Sequence, residues 1–155
     1  MRNRILANNY LVALGNAKCE TLLDGLTSLP ASGSFINVSG YELVHVIVHL
    51  GTLDPGGSPV FTLKCSDSAS GTLDVVNASA SVAYTANVTT EDGYVALWTL
   101  EVANLPEDHH FIAMALSGTV TSCYADIIFL LEPRHLPVTQ TSTVVPSTSQ
   151  FSYVG

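Results

Sequence analysis

The amino-acid sequence predicts an all-β fold, a β-sandwich or jelly-roll-like domain with an extended arm at each end. Short runs rich in Val, Ile, Thr, Tyr, Phe and Trp fill the chain from Ser34 to Leu131. Gly, Pro, Asp, Asn and Ser separate these runs at regular intervals, as turns do between short strands. We therefore expect the sandwich at residues 34–137, an N-terminal arm or short helix or strand at 1–33, and a C-terminal arm at 138–155.

The predicted strands follow one another closely through the central region. In chain order they are SFINV, YELVHVIVHL, VFTLKCSDS, TLDVVN, AYTANVTT, YVALWTLEVANL, FIAMALSGTV and TSCYADIIFLLEP. The segments between them are typical turns, among them GTLDPGGSP, EDG and PEDHH. GTLDPGGSP lacks the GK[ST] ending of a phosphate-binding loop, so we interpret it as a wide turn.

The run YELVHVIVHL, residues 41–50, places two histidines four residues apart, the spacing at which a helix can present both to one metal ion. Its many β-branched residues favour a strand instead, because they lose rotamer freedom in a helix. One face of that strand carries Glu42, Val44, Val46, Val48 and Leu50, and the other carries Tyr41, Leu43, His45, Ile47 and His49. Residues four apart on a strand are about 13 Å apart, too far to share a zinc ion. We expect the second face to line a subunit contact or a second packed layer.

The two ends of the chain differ from the centre. The first thirty residues are ambiguous between an extended arm and a short helix. The last eighteen residues contain no charge and one proline, and they cannot form a core of their own. We expect this C-terminal arm to be disordered or to become ordered by lying across a neighbouring subunit.

Composition excludes several classes of function. Five Lys and Arg against thirteen Asp and Glu give a net charge of −8 with no basic stripe, so nucleic-acid binding is not expected. No apolar run approaches the ~18–20 residues of a membrane span, so no membrane partner is expected. Hydrophobic residues make up 47% of the chain and charged residues only 12%, which suggests surface that is buried against partners. The three cysteines are far apart, and we interpret them as small buried hydrophobes.

No motif points to catalysis. His109 and His110 follow Glu107 and Asp108, and we interpret this group as a polar turn rather than a metal or acid–base cluster. There is no GxSxG, and no Ser, His and Asp in a recognisable context. We therefore expect a protein that is not an enzyme, with no catalytic residues, no cofactor and no metal.

Four segments resemble proteins of one known family. They are SGYELVHVIVHLGTL, VFTLKCSDSASGTLDVV, GYVALWTLEVANLPEDHHFIAMALSGTV and YADIIFLLEPRHLP. Their strand order and turn placement, over about residues 34–137, resemble the capsid decoration (cement or auxiliary) proteins of tailed-phage heads. Tail or head-fibre components could meet the same resemblance.

The resemblance implies a β-sandwich or jelly-roll subunit, a homo-oligomer that is often trimeric, on the outer surface of an icosahedral head. It would clamp the major capsid protein, be assembled in the host cytoplasm and reside in the virion. We expect the following residues to contribute subunit contacts: Tyr41, His45, His49, Arg134, His135, Phe151 and Tyr153.

Two other functions are compatible with the same residues. A sugar- or receptor-binding sandwich would use Trp98, Tyr94 or Tyr124 as stacking aromatics, although we expect Trp98 and Tyr94 to pack with Ala96 and Leu100 in the core. A metal hydrolase would require His45, His49, His109 and His110 to come together, and it would contain stoichiometric zinc.

Overall fold

The prediction of an all-β protein is confirmed by the computed structural model, which describes residues 11–15, 21–76, 83–87 and 90–134. Within these segments the chain forms eleven strands and one short 3₁₀ turn, η1. The elements are β1 (Leu11–Leu14), β2 (Thr21–Leu22), β3 (Ser28–Leu29), β4 (Ile36–Asn37), β5 (Tyr41–Leu50), β6 (Ser58–Ser66), β7 (Asp74–Val75), β8 (Ala83–Thr85), β9 (Val95–Glu101), η1 (Val102–Asn104), β10 (Phe111–Thr119) and β11 (Tyr124–Pro133). No element in the described segments is a helix long and apolar enough to cross a membrane.

The strands form two antiparallel sheets. Sheet A has the order β1-β11-β5-β9, with β2 also paired to β11. Sheet B has the order β3-β10-β6-β7, with β4 also paired to β10 and β8 to β6. The five long strands alternate between the sheets along the chain, so their connections cross from one layer to the other. The jelly-roll-like connectivity stays a prediction.

One hydrophobic core joins the two sheets because the long strands alternate buried and less buried residues. The buried set of sheet A comprises Val44, Val46, Val48 and Leu50 of β5 and Ala125, Ile127, Phe129 and Leu131 of β11. The facing set of sheet B includes Phe61, Leu63 and Cys65 of β6 and Ile112, Met114 and Leu116 of β10. All belong to one contiguous cluster, as a sandwich requires. Of the predicted core face of β5, only Glu42 is exposed.

The described N-terminal residues belong to the sheets. β1 pairs with β11 over four residues, and β2 continues along the same strand. β3 pairs with β10 in sheet B, and Leu23 and Leu29 are buried in the shared core. The described structure of the sandwich therefore extends N-terminal to residue 34.

Candidate interaction surface

The outer face of sheet A carries large aliphatic side chains at its centre. Ile128 of β11 lies opposite Ile47 of β5, and Ile47 lies opposite Leu97 of β9. We call these three residues the aliphatic row. Ile47 and Ile128 are half-buried, whereas the Leu97 residue is 70% exposed at the edge of the sheet. Side chains facing away from the core thus form a second apolar surface.

More polar positions flank the aliphatic row on both sides. One neighbouring row consists of Leu130, His45 and Thr99, and the other consists of Asp126, His49 and Val95. Beyond the first of these, Leu43 lies between Glu132 and Glu101. An apolar centre with polar groups around it is the usual composition of a protein–protein interface.

His45 and His49 lie on this outer face, as the strand prediction for residues 41–50 requires, and they have different neighbours. The His45 Nδ1 is 3.0 Å from the Thr99 Oγ1, directly across from it on β9. The His49 Nδ1 is 3.9 Å from the Asp126 Oδ2 on β11. Ile47 lies between the two histidines along β5. The polar contact of His45 described above is with β9, and that of His49 is with β11. Their role in a subunit contact stays a prediction.

The turn before β9 is held by acidic side chains. The Tyr84 hydroxyl donates a short hydrogen bond to the Glu91 carboxylate, which also accepts one from the Asn87 backbone N–H at 2.6 Å. Burial and the Glu91 carboxylate raise the pKa of Tyr84 to about 12, and the hydrogen bonds from Tyr84 and Asn87 lower the pKa of Glu91. Next to it, the Asp92 carboxylate accepts a hydrogen bond from the Leu53 N–H at 2.9 Å. These contacts fix the point at which β9 enters the sheet.

Trp98 and Tyr94 differ in their surroundings. Trp98 is half-buried, packs on the core with Ala96 and Leu100, and meets the Tyr84 ring edge-on at a centroid distance of 6.3 Å. The prediction that Trp98 packs in the core is therefore confirmed. For Tyr94 the same prediction is wrong: it precedes β9, donates its N–H to the Glu91 carbonyl at the end of the turn, and is 57% exposed.

The turn that contains His109 is linked to sheet B. The His109 Nε2 lies 3.2 Å from the Asp74 Oδ2 of β7, and its Nδ1 lies 2.9 Å from the Glu107 carbonyl oxygen. The Glu107 carbonyl and, after it, the Asp74 carboxylate raise the pKa of His109. His110 is exposed beside it, and its backbone carbonyl accepts a hydrogen bond from the Val38 N–H at 2.8 Å. The two histidines thus fasten a polar turn.

A surface cavity of ≈430 Å³ lies at the end of sheet A where β9 and β11 finish and β5 begins. Gly40, Val102, Leu105 and Arg134 line it, together with residues 106–110 of the turn. The Arg134 backbone N–H donates a hydrogen bond to the Gly40 carbonyl oxygen at 3.2 Å. The last described residue of the chain therefore lies on the wall of this cavity.

The residues predicted to make subunit contacts lie in different places. His45 and His49 share the outer face of β5, whereas Tyr41, at the start of the strand, packs against the core, and burial raises its pKa. Arg134 lies apart from them, at the cavity. The remaining three, His135, Phe151 and Tyr153, lie outside the described residues.

The outward-facing aliphatic residues of β9 and β11 were not among those predictions. In the IIFLL segment of β11 both alternating sets are apolar, and in VALWTLE both sets begin with apolar residues, so composition alone does not assign the core face. Interpreting one set as core left Leu97, Ile128 and Leu130 without an assignment. A strand that is apolar on both faces is the signal that could have identified them.

Potential metal ligands do not cluster in the described part of the chain. Across residues 11–15, 21–76, 83–87 and 90–134, no three His, Cys, Asp or Glu side chains are arranged to hold a metal ion. Cys65 and Cys123 are buried free thiols, as predicted, and burial raises the pKa of Cys65. Cys19 lies outside the described residues.

Comparisons of the chain with protein-family models, with curated proteins and with solved structures found no match.

Proposed function

We propose that this protein is a structural subunit that binds other protein subunits through the outer face of sheet A, and that its setting is the outer surface of a tailed-phage head. The observation that carries the proposal is the aliphatic row of Ile128, Ile47 and Leu97, an apolar surface on the side of the sheet away from the core. The sequence resemblance to capsid decoration proteins supplies the setting.

Apolar burial supplies the free energy for such a contact. Covering an exposed leucine contributes about 1.5–3 kcal/mol, and Leu97 is the most exposed of the large hydrophobic residues in the described segments. The flanking rows add polar groups, among them His45, His49 and Asp126, that can be paired across an interface. A stable interface buries about 800 Å² on each partner, so the aliphatic row would form its centre rather than its whole area.

Two partners fit this proposal. A homotrimer would use the same face three times through cyclic symmetry, and the major capsid protein would be clamped at the junctions of the shell. Both contacts require apolar burial and shape complementarity rather than a reactive group. The protein would then reside in the virion after assembly in the host cytoplasm.

The exposure of Tyr94 supports a second candidate, a sugar- or receptor-binding module in which this ring stacks on a ligand. Trp98 is less suited to that role because it packs on the core. The two candidates differ in a simple measurement. A stacking site predicts that sugars alter the fluorescence of wild-type protein and not of Tyr94→Ala, whereas the decoration subunit predicts no response to sugars in either.

The decisive experiment is cosedimentation with expanded and unexpanded heads of the phage whose genome encodes the protein. Val95→Glu and Leu97→Glu place a charge on the outer face of sheet A, and Val75→Glu is a matched control. Val75 is 54% exposed on β7 of sheet B, against 55% for Val95. We expect the two sheet A variants to lose roughly tenfold or more of their affinity for expanded heads, while Val75→Glu binds like the wild type. Equal binding by all three variants, or no binding of the wild type, would overturn the proposal.

A further inference from the structure

The pair formed by His49 and Asp126 lies beside the aliphatic row on the outer face of sheet A. His49 is two residues from Ile47 on β5, and Asp126 is two residues from Ile128 on β11. Residues two apart on a strand share a face and lie about 7 Å from each other. A subunit that covers the aliphatic row would therefore also cover this pair.

The charge of His49 decides how strongly the pair attracts. The His49 Nδ1 and the Asp126 Oδ2 are 3.9 Å apart, within ion-pair distance but beyond a normal hydrogen bond. The attraction is therefore strong only when the imidazole is protonated, a change that histidines undergo between pH 8 and pH 5. The His49 side chain is 52% exposed and that of Asp126 is 20% exposed, so water weakens the attraction in the free protein.

Covering the pair with a protein surface strengthens this attraction. Opposite charges about 4 Å apart attract several times more strongly at the effective dielectric constant near a protein surface than in bulk water. The pair flanks the apolar centre, where an interface keeps a polar, partly hydrated rim, so the imidazolium keeps part of its hydration. We expect the gain in attraction to exceed the loss of hydration, because the Asp126 carboxylate is already largely covered.

Asp126 is the charged group that faces His49 directly from the neighbouring strand β11, and on β9 its neighbour is Val95. The carboxylates of Glu91 and Asp92, in the turn before β9, accept hydrogen bonds from the Asn87 and Leu53 N–H groups. His49 is therefore paired with Asp126 rather than with that acidic turn. The other titratable residues of sheet A and its turns are Tyr94, Glu101, Tyr124, Glu132, Tyr41, Glu42 and His45.

His45, on the same face, has a different kind of polar contact. Its Nδ1 lies 3.0 Å from the Thr99 Oγ1. A hydroxyl can donate as well as accept a hydrogen bond, so it suits a neutral imidazole as well as a protonated one. His45 and His49 are thus matched in strand, in face and in separation from Ile47, and they differ in whether the contact is with a hydroxyl or a carboxylate.

We propose that binding of the outer face of sheet A to a subunit of the expanded head takes up a proton at His49, so that the interface is stronger at lower pH. The inference rests on the proposed function, because it assigns a pH control to the same surface. Proton uptake and binding are reciprocal. If covering the pair favours protonated His49, then protonation of His49 favours the covered state by the same factor.

Cosedimentation of the full-length protein with expanded heads at pH 5.5 and pH 8.5 tests this control. For each protein the ratio of the two affinities is measured. This ratio should be roughly fivefold larger, or more, for the wild type than for His49→Gln or Asp126→Asn, which retain polar side chains but cannot form the ion pair. His45→Gln is the matched control and should keep the wild-type ratio. All variants meet the same heads, so titration of the head itself cancels when the ratios are compared.

The outcomes separate this inference from the proposed function. Wild-type binding with the same ratio as His49→Gln would overturn the inference and leave the proposed function intact. A ratio that falls as far in His45→Gln as in His49→Gln would assign the effect to the charge of the whole face and overturn the role of the pair. A larger ratio in His49→Gln than in the wild type would mean that the interface expels the proton. Absence of wild-type binding at both pH values would overturn the proposed function and this inference with it.

Discussion

The outer faces of the two sheets differ in a way that their inner faces do not. Sheet A presents Leu43, Ile47, Leu97, Ile128 and Leu130 away from the core. The long strands of sheet B present smaller or more polar residues there, with Phe111 at the start of β10 as a large apolar exception and Ala113 fully buried. The others are Ser58, Val60, Thr62 and Lys64 on β6 and Ala115, Ser117 and Thr119 on β10. The long strands of sheet B therefore carry fewer large aliphatic residues on their outer face than those of sheet A, which is apolar on both faces.

This difference shows that the high hydrophobic content of the chain is unevenly distributed. A sandwich needs one apolar face from each sheet, and both sheets supply it. The additional large aliphatic residues are on the outer face of sheet A, where folding of the described domain leaves them partly or largely exposed. An exposed apolar patch on a folded protein commonly marks an interaction site.

The largest expected effect is a loss of stability when side chains of the inner faces are truncated, because these faces pack together in one core. Phe129 of sheet A and Phe61 of sheet B are both fully buried. Phe129→Ala and Phe61→Ala should each lower the free energy of unfolding by about 3–5 kcal/mol, because each removes an aromatic ring from the core. Ile128→Ala, one residue along β11 but on the outer face, should cost about 1 kcal/mol or less. Urea denaturation measures all three, and an equal cost for Phe129 and Ile128 would contradict the assignment of inner and outer faces.

Removing the C-terminal arm should leave the protein folded but weaken its attachment to heads. Deletion of residues 138–155 should leave the core of the sandwich folded by circular dichroism. Under the proposed function it should lower occupancy on expanded heads, because the uncharged arm would contact the neighbouring subunits. Deletion of residues 147–155 alone tests the part that carries Phe151 and Tyr153. Equal occupancy for the full-length protein and the longer deletion would refute a role of the arm in attachment.

Exchanging one residue type between the outer faces should alter self-association. Leu97→Thr gives sheet A a residue typical of the outer face of sheet B, and Thr62→Leu makes the opposite change on β6. Each buried CH₂ contributes about 0.8 kcal/mol, so Leu97→Thr should weaken association by roughly tenfold. Sedimentation velocity over a concentration series measures the effect. Stronger association of Thr62→Leu than of the wild type would show that sheet B also contributes an interface.

The smallest expected effect is a pH-dependent change in stability that involves His109 and sheet B. Because the pKa of His109 is raised in the folded state, folding favours its protonated form. The resulting stabilisation is complete below the unfolded pKa of about 6.5 and is lost as the pH rises through the higher folded value. Wild type and His109→Gln should therefore differ more in urea midpoint at pH 5.5 than at pH 8.5.

The matched control for this comparison is His110→Gln, which changes the exposed neighbour of His109 in the same turn. It should parallel the wild type at both pH values. A constant difference between wild type and His109→Gln across this pH range would contradict the contribution of the His109–Asp74 pair.

Strand periodicity predicted the centre of the fold better than its ends. The run at residues 41–50 forms β5 with the predicted alternation, because four aliphatic residues on one face leave a single register that buries them. β2 and β3 are only two residues long, too short for any periodicity, and they form because β11 and β10 offer partners distant in sequence.

The candidate surface was only half predictable for a related reason. His45 and His49 follow from β5 alone, since its two faces differ in composition. Leu97 depends on which of the two alternating sets in β9 meets the core, and the pairing of β9 with β5 makes that choice. The cavity depends on the end of one strand approaching the start of another, which local sequence does not encode.

The central positions of β10 and β11 have a consequence for the order of folding during synthesis. β11 lies between β1 and β5, and β10 lies between β3 and β6, yet both strands come last among the described elements. The described strands of sheet B are complete only when the ribosome has made residue 119, and those of sheet A only when it has made residue 133. The loops that close β1 onto β11 and β3 onto β10 span most of the chain. Such non-local topology folds slowly. Until residue 133 is made, β5 lacks its β11 partner, and its unpaired edge is a site at which the nascent chain can aggregate.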